Sequence, residues 1–498
     1  MSDFMQAAMN GSLGGQDFSI AELREIGKAL EDAALGVARS GVNYPLQGVQ
    51  YDSTTLSPNG ELSPLVPQSI ENTLVSTTFS EKHLKFWPSL ASIDVTQPLH
   101  EYSLVHQYGG FAMEPFFAEG GVGAVGEPIF ERQTIRMKYM MEMVSLTDVG
   151  VMTGLMGPDA SAVAMRTKQA TISLTHKLEN LLFWADSRLN PNAFDGLYAQ
   201  LERKAPNNVT NMYGASAGPT KLQEILGTLV SPDLYALPNK IYCSQQQFQA
   251  WVNEALTYGR FDQASAGARS LYYGQDQLFV SAPGTGRIEI QPLPFLSQRR
   301  NPIKNAMGGA GAPATLTPTI ARVASVTGSE WQSGDVDSKY LWYILELYGD
   351  RGTSVTTAAG GVQVVASGDG IRIRLPDSGY ALAGDGSLKY VKLYRAATTD
   401  AVAPTDLRQY EWVGSHPRNT LNAGATEIYD LNTFRPGTSP IFLGQFDPET
   451  INWYKFLPFT RRTIPTLDTT IKFALMLFGA LNVRVPSKMW LLRNCKNS

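Results

Sequence analysis

Two glycine-rich stretches carry the spacing of known chemical motifs. Gly121-Val-Gly123-Ala-Val-Gly126 has the three glycines of a dinucleotide-binding turn. That chemistry needs a helix to open directly behind the last glycine, so that its N-terminus holds the pyrophosphate. Here Glu127-Pro128-Ile129 follows and leads into a β-type run, so a flexible loop is expected instead. Gly214-Ala-Ser216-Ala-Gly218 has the spacing of a nucleophile elbow. A true elbow follows an apolar strand and draws on an acid and then a histidine downstream. The preceding Asn207-Asn208-Val209-Thr210-Asn211 reads as a turn, and His416 is the sole later histidine. Ser216 is therefore expected to lead into a helix near Pro219.

The remaining reactive residue types are scattered. His83, His100, His106, His176 and His416 show no paired helical spacing, and no zinc site is expected. Asp335-Val-Asp337 lacks the rest of a calcium loop and reads as a solvated turn. Cys243 and Cys495 are too few and too distant in sequence for a disulfide framework, which predicts free thiols. Arg299-Arg300 and Arg461-Arg462 are basic pairs that could meet phosphate or a neighbouring subunit's carboxylates, or simply face solvent. No catalytic constellation, metal site or cofactor site emerges, and an enzyme is not expected.

The bulk properties are those of an ordinary packed protein. At 498 residues, two to four domains are expected. Hydrophobic residues make up 43% and charged residues 17%, which is too apolar for a disordered chain. The net charge of −4 shows none of the basic excess of a strongly nucleic-acid-binding protein. No apolar run approaches the ~20 residues needed to span a bilayer, and Met1 to Gly15 lacks the pattern of a signal peptide. A soluble protein made inside the cell, with no membrane partner, is the expectation.

The elements come in a definite order. Ser19 as N-cap and Glu22 as its capping-box partner predict a helix to Val37. From Ala38 to about Phe79, Pro45, Pro58, Pro64 and Pro67 break all periodicity, which predicts an extended arm. His100 to Tyr108 and Thr134 to Leu146 read as the strands of a long hairpin with a glycine-rich tip. Strict alternation puts Ile135, Met137, Tyr139, Met141 and Met143 on one face of its second strand. A hairpin alone buries too little to be stable, so another copy of the chain is expected to cover it. Met137, Met140, Met141 and Met143 suit such a contact because thioethers adapt to differing packings.

Pro158 to Ser187 predicts a helix of roughly 40 Å, with Ala170, Leu174, Leu178, Leu181 and Ala185 along one face. Helix Thr220 to Leu229, strand Lys240 to Cys243, helix Gln246 to Tyr258 and strand Arg287 to Leu293 follow. Between Pro313 and Pro440 the pattern turns all-β: Ile320 to Val326, Tyr340 to Tyr348, Gly370 to Leu375, Leu388 to Arg395, Gln409 to Gly414 and Thr426 to Asp430. Short strands with turn residues between them predict a β-sandwich inserted into an α/β host.

This order resembles the major capsid proteins of tailed phages, the Hong Kong 97-type fold. Phe194-Asp195-Gly196-Leu197 looks like the family's turn after its spine helix. Pro238-Asn239-Lys240-Ile241-Tyr242-Cys243-Ser244 followed by Gln246 to Trp251 looks like its strand and helix. Phe478-Gly479-Ala480-Leu481-Asn482-Val483-Arg484-Val485-Pro486 looks like its closing strand. The insertion resembles an immunoglobulin or fibronectin type III-like module, on Tyr340 to Ser354 and Tyr390 to Arg395.

The resemblance implies an α+β chain divided into an N-terminal helix and arm (1–80), a P-domain (81–99 and 148–220, with spine helix 158–187) and an E-loop hairpin (100–147). An A-domain (221–312), the inserted sandwich (313–440) and a returning C-terminal part (441–498) complete it. It also implies hexamers and pentamers in an icosahedral shell around double-stranded DNA bound without sequence specificity, with portal, scaffolding or decoration proteins as partners. The location implied is the virion, assembled in the bacterial cytoplasm. Inter-subunit contacts are expected at Met137, Tyr139, Met141, Met143, Arg299, Arg300, Arg461 and Arg462. Lys138 lies on a strand rather than at the hairpin tip, so a non-covalent shell is expected. An encapsulin-like compartment and a carbohydrate-binding adhesin are the alternatives.

Overall fold

The computed structural model describes residues 83–107, 116–121, 126–148, 151, 162–232, 234–258, 279–282, 286–297, 317–332, 339–349, 353–364, 366–375, 390–417, 426–466 and 469–497. The chain divides into two compact units, residues 1–73 and 74–498. In the first, two short strands are described, Ser12–Leu13 and Gln16–Asp17, which pair antiparallel. The expected helix from Ser19, the arm to Phe79, the helix start at Pro158 and Asp159, the Arg299-Arg300 pair and Asp335-Val-Asp337 lie outside the described residues.

The second unit is α+β. A single helical turn (Phe86–Ser89) leads into β1 (Ala91–Asp94), β2 (Leu99–Gln107), β3 (Ile129–Arg136) and β4 (Lys138–Thr147). Helices α1 (Ala162–Trp184) and α2 (Leu197–Lys204) precede β5 (Val209–Asn211), α3 (Pro219–Val230), β6 (Lys240–Cys243), α4 (Gln245–Tyr258), β7 (Phe279–Ala282) and β8 (Gly286–Pro292). Eight strands then run without a long helix: β9 (Thr319–Val323), β10 (Tyr340–Tyr348), β11 (Thr353–Val355), β12 (Ala359–Val362), β13 (Gly370–Leu375), β14 (Tyr390–Thr398), β15 (Glu411–Pro417) and β16 (Thr426–Asp430). The chain closes with β17 (Thr438–Gly444), β18 (Ile451–Ile464), β19 (Thr470–Val483) and β20 (Met489–Lys496).

A four-stranded sheet, β1-β18-β19-β4, joins strands from before residue 150 to strands from after residue 450. One of its faces packs on α1, whose Leu174, Leu178 and Leu182 share a core with Leu475, Leu477 and Trp453. The close approach of β18 and β19 requires a glycine at 479. A Cβ there would lie 2.5 Å from both the Trp453 ring and the Tyr454 carbonyl oxygen.

A six-stranded mixed sheet, β5-β20-β17-β6-β8-β7, carries α3 and α4. Leu222, Ile225, Leu226, Leu229 and Trp251 meet Ile241, Ile290, Ile441 and Leu492 in its core. Strand β17 is buried along its whole length, as a central strand covered on both faces must be.

Strands β9-β13-β16 form one sheet, and β10, β11, β12, β14 and β15 another. Tyr343, Leu345, Leu347, Val391 and Leu393 of the second meet Ile371, Ile373 and Ile428 of the first, so the two sheets enclose one core. The opposite face of β10 and β14 contributes Ile344, Tyr394 and Ala396 to a small cluster with Trp412, against which Trp184 and Phe434 pack. Beside it, α1, α2 and the sandwich enclose a cavity of about 390 Å³.

Three expectations change. The run Thr134 to Leu146 is not one hairpin strand: β3 pairs with β2, whereas β4 pairs with β19. Asn207 to Asn211 is not a simple turn, because β5 occupies its end and runs parallel to β20. The stretch from Phe478 does not close the fold, since β20 follows it and pairs with β17.

Candidate functional site

The exposed side chains that could engage another molecule gather on the hairpin and on one face of β4. Phe116, Phe117 and Phe130 are 83%, 67% and 65% exposed, although their ring areas would normally be buried. The base of the β2–β3 ribbon is held by its own subunit. The Tyr102 hydroxyl lies within hydrogen-bond reach of Gln133 Oε1 (2.7 Å) and Asn482 Oδ1 (3.2 Å), and His100 lies against the Tyr454 ring at 4.8 Å. The base of the hairpin thus rests on its own subunit, beside whatever another copy covers further along it.

At Met137 the chain changes partners. Arg136 still pairs with Leu99, the Met137 N–H donates to the Pro98 carbonyl (2.8 Å), and Lys138 already pairs with Gly479. The side-chain alternation slips by one residue at this crossing. Ile135 and Met137 turn inward, Met137 being 0% exposed, while Tyr139, Met141 and Met143 turn out at 57%, 56% and 58%. Unbroken alternation had put all five on one face. Met137 is a core residue in this structure and offers no surface to a neighbour.

Residues directly opposite on antiparallel strands share a face, so the half-buried Phe478 and Met476 of β19 extend the patch beside Tyr139 and Met141, whereas Ala474, opposite Met143, is buried. Tyr139 sets its ring edge on Phe478 at 4.8 Å. Arg461 pairs with Leu475 and Arg462 with Ala474, so the two point to opposite faces of the sheet. Both are exposed; Arg461 lies over the Phe473 ring at 4.3 Å. They do not make a single basic spot.

The decoy motifs are not brought together with partners. Strand β3 begins at Ile129, directly behind the glycine fingerprint, and Ser216 is exposed ahead of α3. Cys243 and Cys495 are buried free thiols, and burial pushes both up from the ordinary cysteine value. Among the described residues no cluster of His, Cys, Asp or Glu could hold a metal ion. No helix among the described residues is long and apolar enough to cross a membrane.

One positioning residue escaped the sequence reading. Glu179, 0% exposed, projects from α1 and accepts from the backbone N–H groups of Lys85 (3.2 Å), Phe86 (2.7 Å) and Trp87 (2.8 Å). It thereby anchors the segment that leads into β1 and the hairpin. Burial raises its carboxyl above the ordinary glutamate value despite these three donors. Its signal in the sequence was a single acid adjoining Leu178 on the apolar face of a helix.

A chain of ions ties the sandwich to the host. Arg203 contacts Asp195 (2.9 Å) and Asp186; Arg188 contacts Asp186 (2.8 Å) and Glu202 (3.2 Å). Arg493 reaches Glu202 (4.0 Å) and Glu330, and Glu330 also accepts from Asn211 Nδ2 (2.7 Å). Burial alone would raise Asp186, yet hydrogen bonds and charge from Arg188, with the charge of Arg203, hold it below the ordinary aspartate range.

No protein-family model matches the chain. It is 21% identical over 442 residues to a protein of Enterococcus phage phiEF24C described as a putative major capsid protein, covering 86% of this chain and 89% of that one. To the major capsid protein of Staphylococcus phage S25-3 it is 20% identical over 441 residues, with the same coverage. Among solved structures, the capsid of a native GTA particle aligns with 89% of this chain and 100% of its own, at 8% identity and a TM-score of 0.44. Over most of its length, this chain is a homologue of the phage major capsid proteins.

Proposed function

We infer that the chain is a major capsid protein of the Hong Kong 97 type, a structural subunit that assembles into hexamers and pentamers of an icosahedral phage head. The observation that carries this reading is the extent of the sequence match. At 86% of the chain it cannot be confined to the residues outside 313–440, so it enters the sandwich as well as the host. The location is the virion, with double-stranded DNA in the lumen and portal, scaffolding or decoration proteins as further partners. A net charge of −4 suits a wall that encloses DNA without gripping it.

Within this reading, Tyr139, Met141 and Met143 contact a neighbouring copy, and Phe116, Phe117 and Phe130 of the hairpin are buried against it. Arg299, Arg300, Arg461 and Arg462 are further contact candidates. The division into arm (1–80), P-domain (81–99 and 148–220), E-loop (100–147), A-domain (221–312), sandwich (313–440) and returning part (441–498) is proposed with it. Obligate contacts between copies often bury more than ~2,000 Å², enough to cover the exposed face of β4 and the hairpin rings.

Negative-stain imaging of the expressed full chain tests the proposal. Closed particles tens of nanometres across are expected, and a small discrete oligomer under every assembly condition sinks it. Nucleic acid recovered inside particles from infected cells separates a phage head from an encapsulin-like compartment, which would hold protein cargo.

A further inference from the structure

Strand β4 ends its sheet: it pairs with β19 on one side and with no described strand on the other. Edge strands are usually short, bulged or broken by proline, because their open N–H and C=O groups invite another chain. β4 has none of these protections. It runs for 10 residues without Pro or Gly, and its ladder to β19 continues unshifted from Lys138 to Thr147. Alternate residues of an antiparallel strand turn their backbone groups away from the partner. Among the described residues nothing bonds that outer side between Lys138 and Leu146. The charged residues of β4 are engaged inside the subunit, Lys138 with the Pro191 carbonyl (2.5 Å) and Glu142 with Lys177 (2.5 Å) and Ser173 (3.2 Å) of α1.

Both faces of β4 are open along the same flank. On the face packed against α1, Phe473, Leu475 and Leu477 of β19 are buried. Met140 and Val144, directly opposite Leu477 and Phe473, are only half-buried, as is Leu146. On the other face Tyr139, Met141 and Met143 are exposed. One further strand would bond the backbone edge and cover both sets of side chains together.

We propose that this strand is β4 of a second copy, paired antiparallel across a two-fold axis so that one sheet runs through both subunits. An edge that meets its own symmetry mate gives a closed, isologous contact. The register follows from the side chains. Residues opposite one another share a face, so a slip by one residue would set the exposed side chains against the half-buried ones. Centring the pair on Glu142 would oppose two carboxylates, which is unfavourable. Centred on Met143, residues 139–147 of each copy pair: Met143 faces its own counterpart, Met141 faces Ser145, Tyr139 faces Thr147 and Met140 faces Leu146. The pairing names the partner of the face assigned above to a neighbouring copy and rests on that reading.

Cysteine variants of the full chain, put under assembly conditions and then treated with oxidised glutathione, test it. Directly opposed Cβ atoms lie about 4.5–5.5 Å apart, close enough for a disulfide, and the native Cys243 and Cys495 are buried. Met143→Cys is expected to give a dimer on non-reducing gels that a reductant removes. Met141→Cys alone should run as a single chain, and adding Ser145→Cys to it should bring the dimer back. All three positions are exposed, so the thermal midpoints should match that of the parent. Particles of the Met143→Cys chain that yield no dimer overturn the pairing and leave the capsid reading intact. Equal dimer from Met141→Cys alone and from Met143→Cys overturns it as well. A dimer without particles supports the pairing and counts against the capsid reading, and neither dimer nor particles overturns both.

Discussion

Glu179 shows how one side chain can set the path of a distant segment. Its carboxylate takes three consecutive backbone N–H groups that would otherwise be stranded without acceptors. Replacing it with alanine is expected to cost about 3 kcal/mol, read as a lower midpoint in chemical denaturation; an unchanged midpoint would refute the anchoring role. His416, at the sandwich–host cavity, makes a pH prediction. Burial lowers its pKa below the ordinary 6.5. The unfolded chain therefore takes up the proton first on acidification, and stability present above pH 6.5 is lost as pH falls towards the folded value. A His416→Gln variant should lose less stability than the parent between neutral pH and that lower value, measured by thermal melts across the range. Parallel melting curves would show that the imidazole is not linked to folding.

Among the elements, β4 carries the functional argument because its two faces differ. Met137, the residue just ahead of β4 where the alternation slips, is core, and Met137→Ala should destabilise the subunit by about 3 kcal/mol. Met141→Ser on the outer face should leave the midpoint within about 0.5 kcal/mol while reducing the yield of particles seen by light scattering. The opposite assignment of effects would mean the face is misread. The sequence showed β6, β10, β13 and β16 with their observed ends, because alternating or apolar runs there are bounded by turn residues. It did not show the slip at Met137, since apolar residues alternate through 135–143 without interruption and only the change of pairing partner reveals the crossing. Helix α2 went unread: only the turn Phe194-Asp195-Gly196-Leu197 at its start was legible, because burial of Leu197, Tyr198 and Leu201 rather than periodicity makes its eight residues helical. The exposed face of β4 was legible as to Tyr139, Met141 and Met143, whereas Phe478 and Met476 joined it through strand register alone.

At the scale of the whole molecule, the sandwich is fixed by Glu330, which engages Arg493 and Asn211 of the host. Glu330→Ala is expected to uncouple the two, splitting a single calorimetric unfolding transition into two; one undivided transition would show that the apolar cluster around Trp412 suffices. The four-stranded sheet has a different kind of consequence. Its strands β1 and β4 leave the ribosome more than three hundred residues before β18 and β19, on which both depend for pairing. Until translation is nearly finished, β4 has no sheet to join, and contacts this distant in sequence form late. The outward face bearing Tyr139, Met141 and Met143 thus comes into being only on a finished polypeptide, so truncated nascent chains carry no docking surface with which to poison a growing lattice.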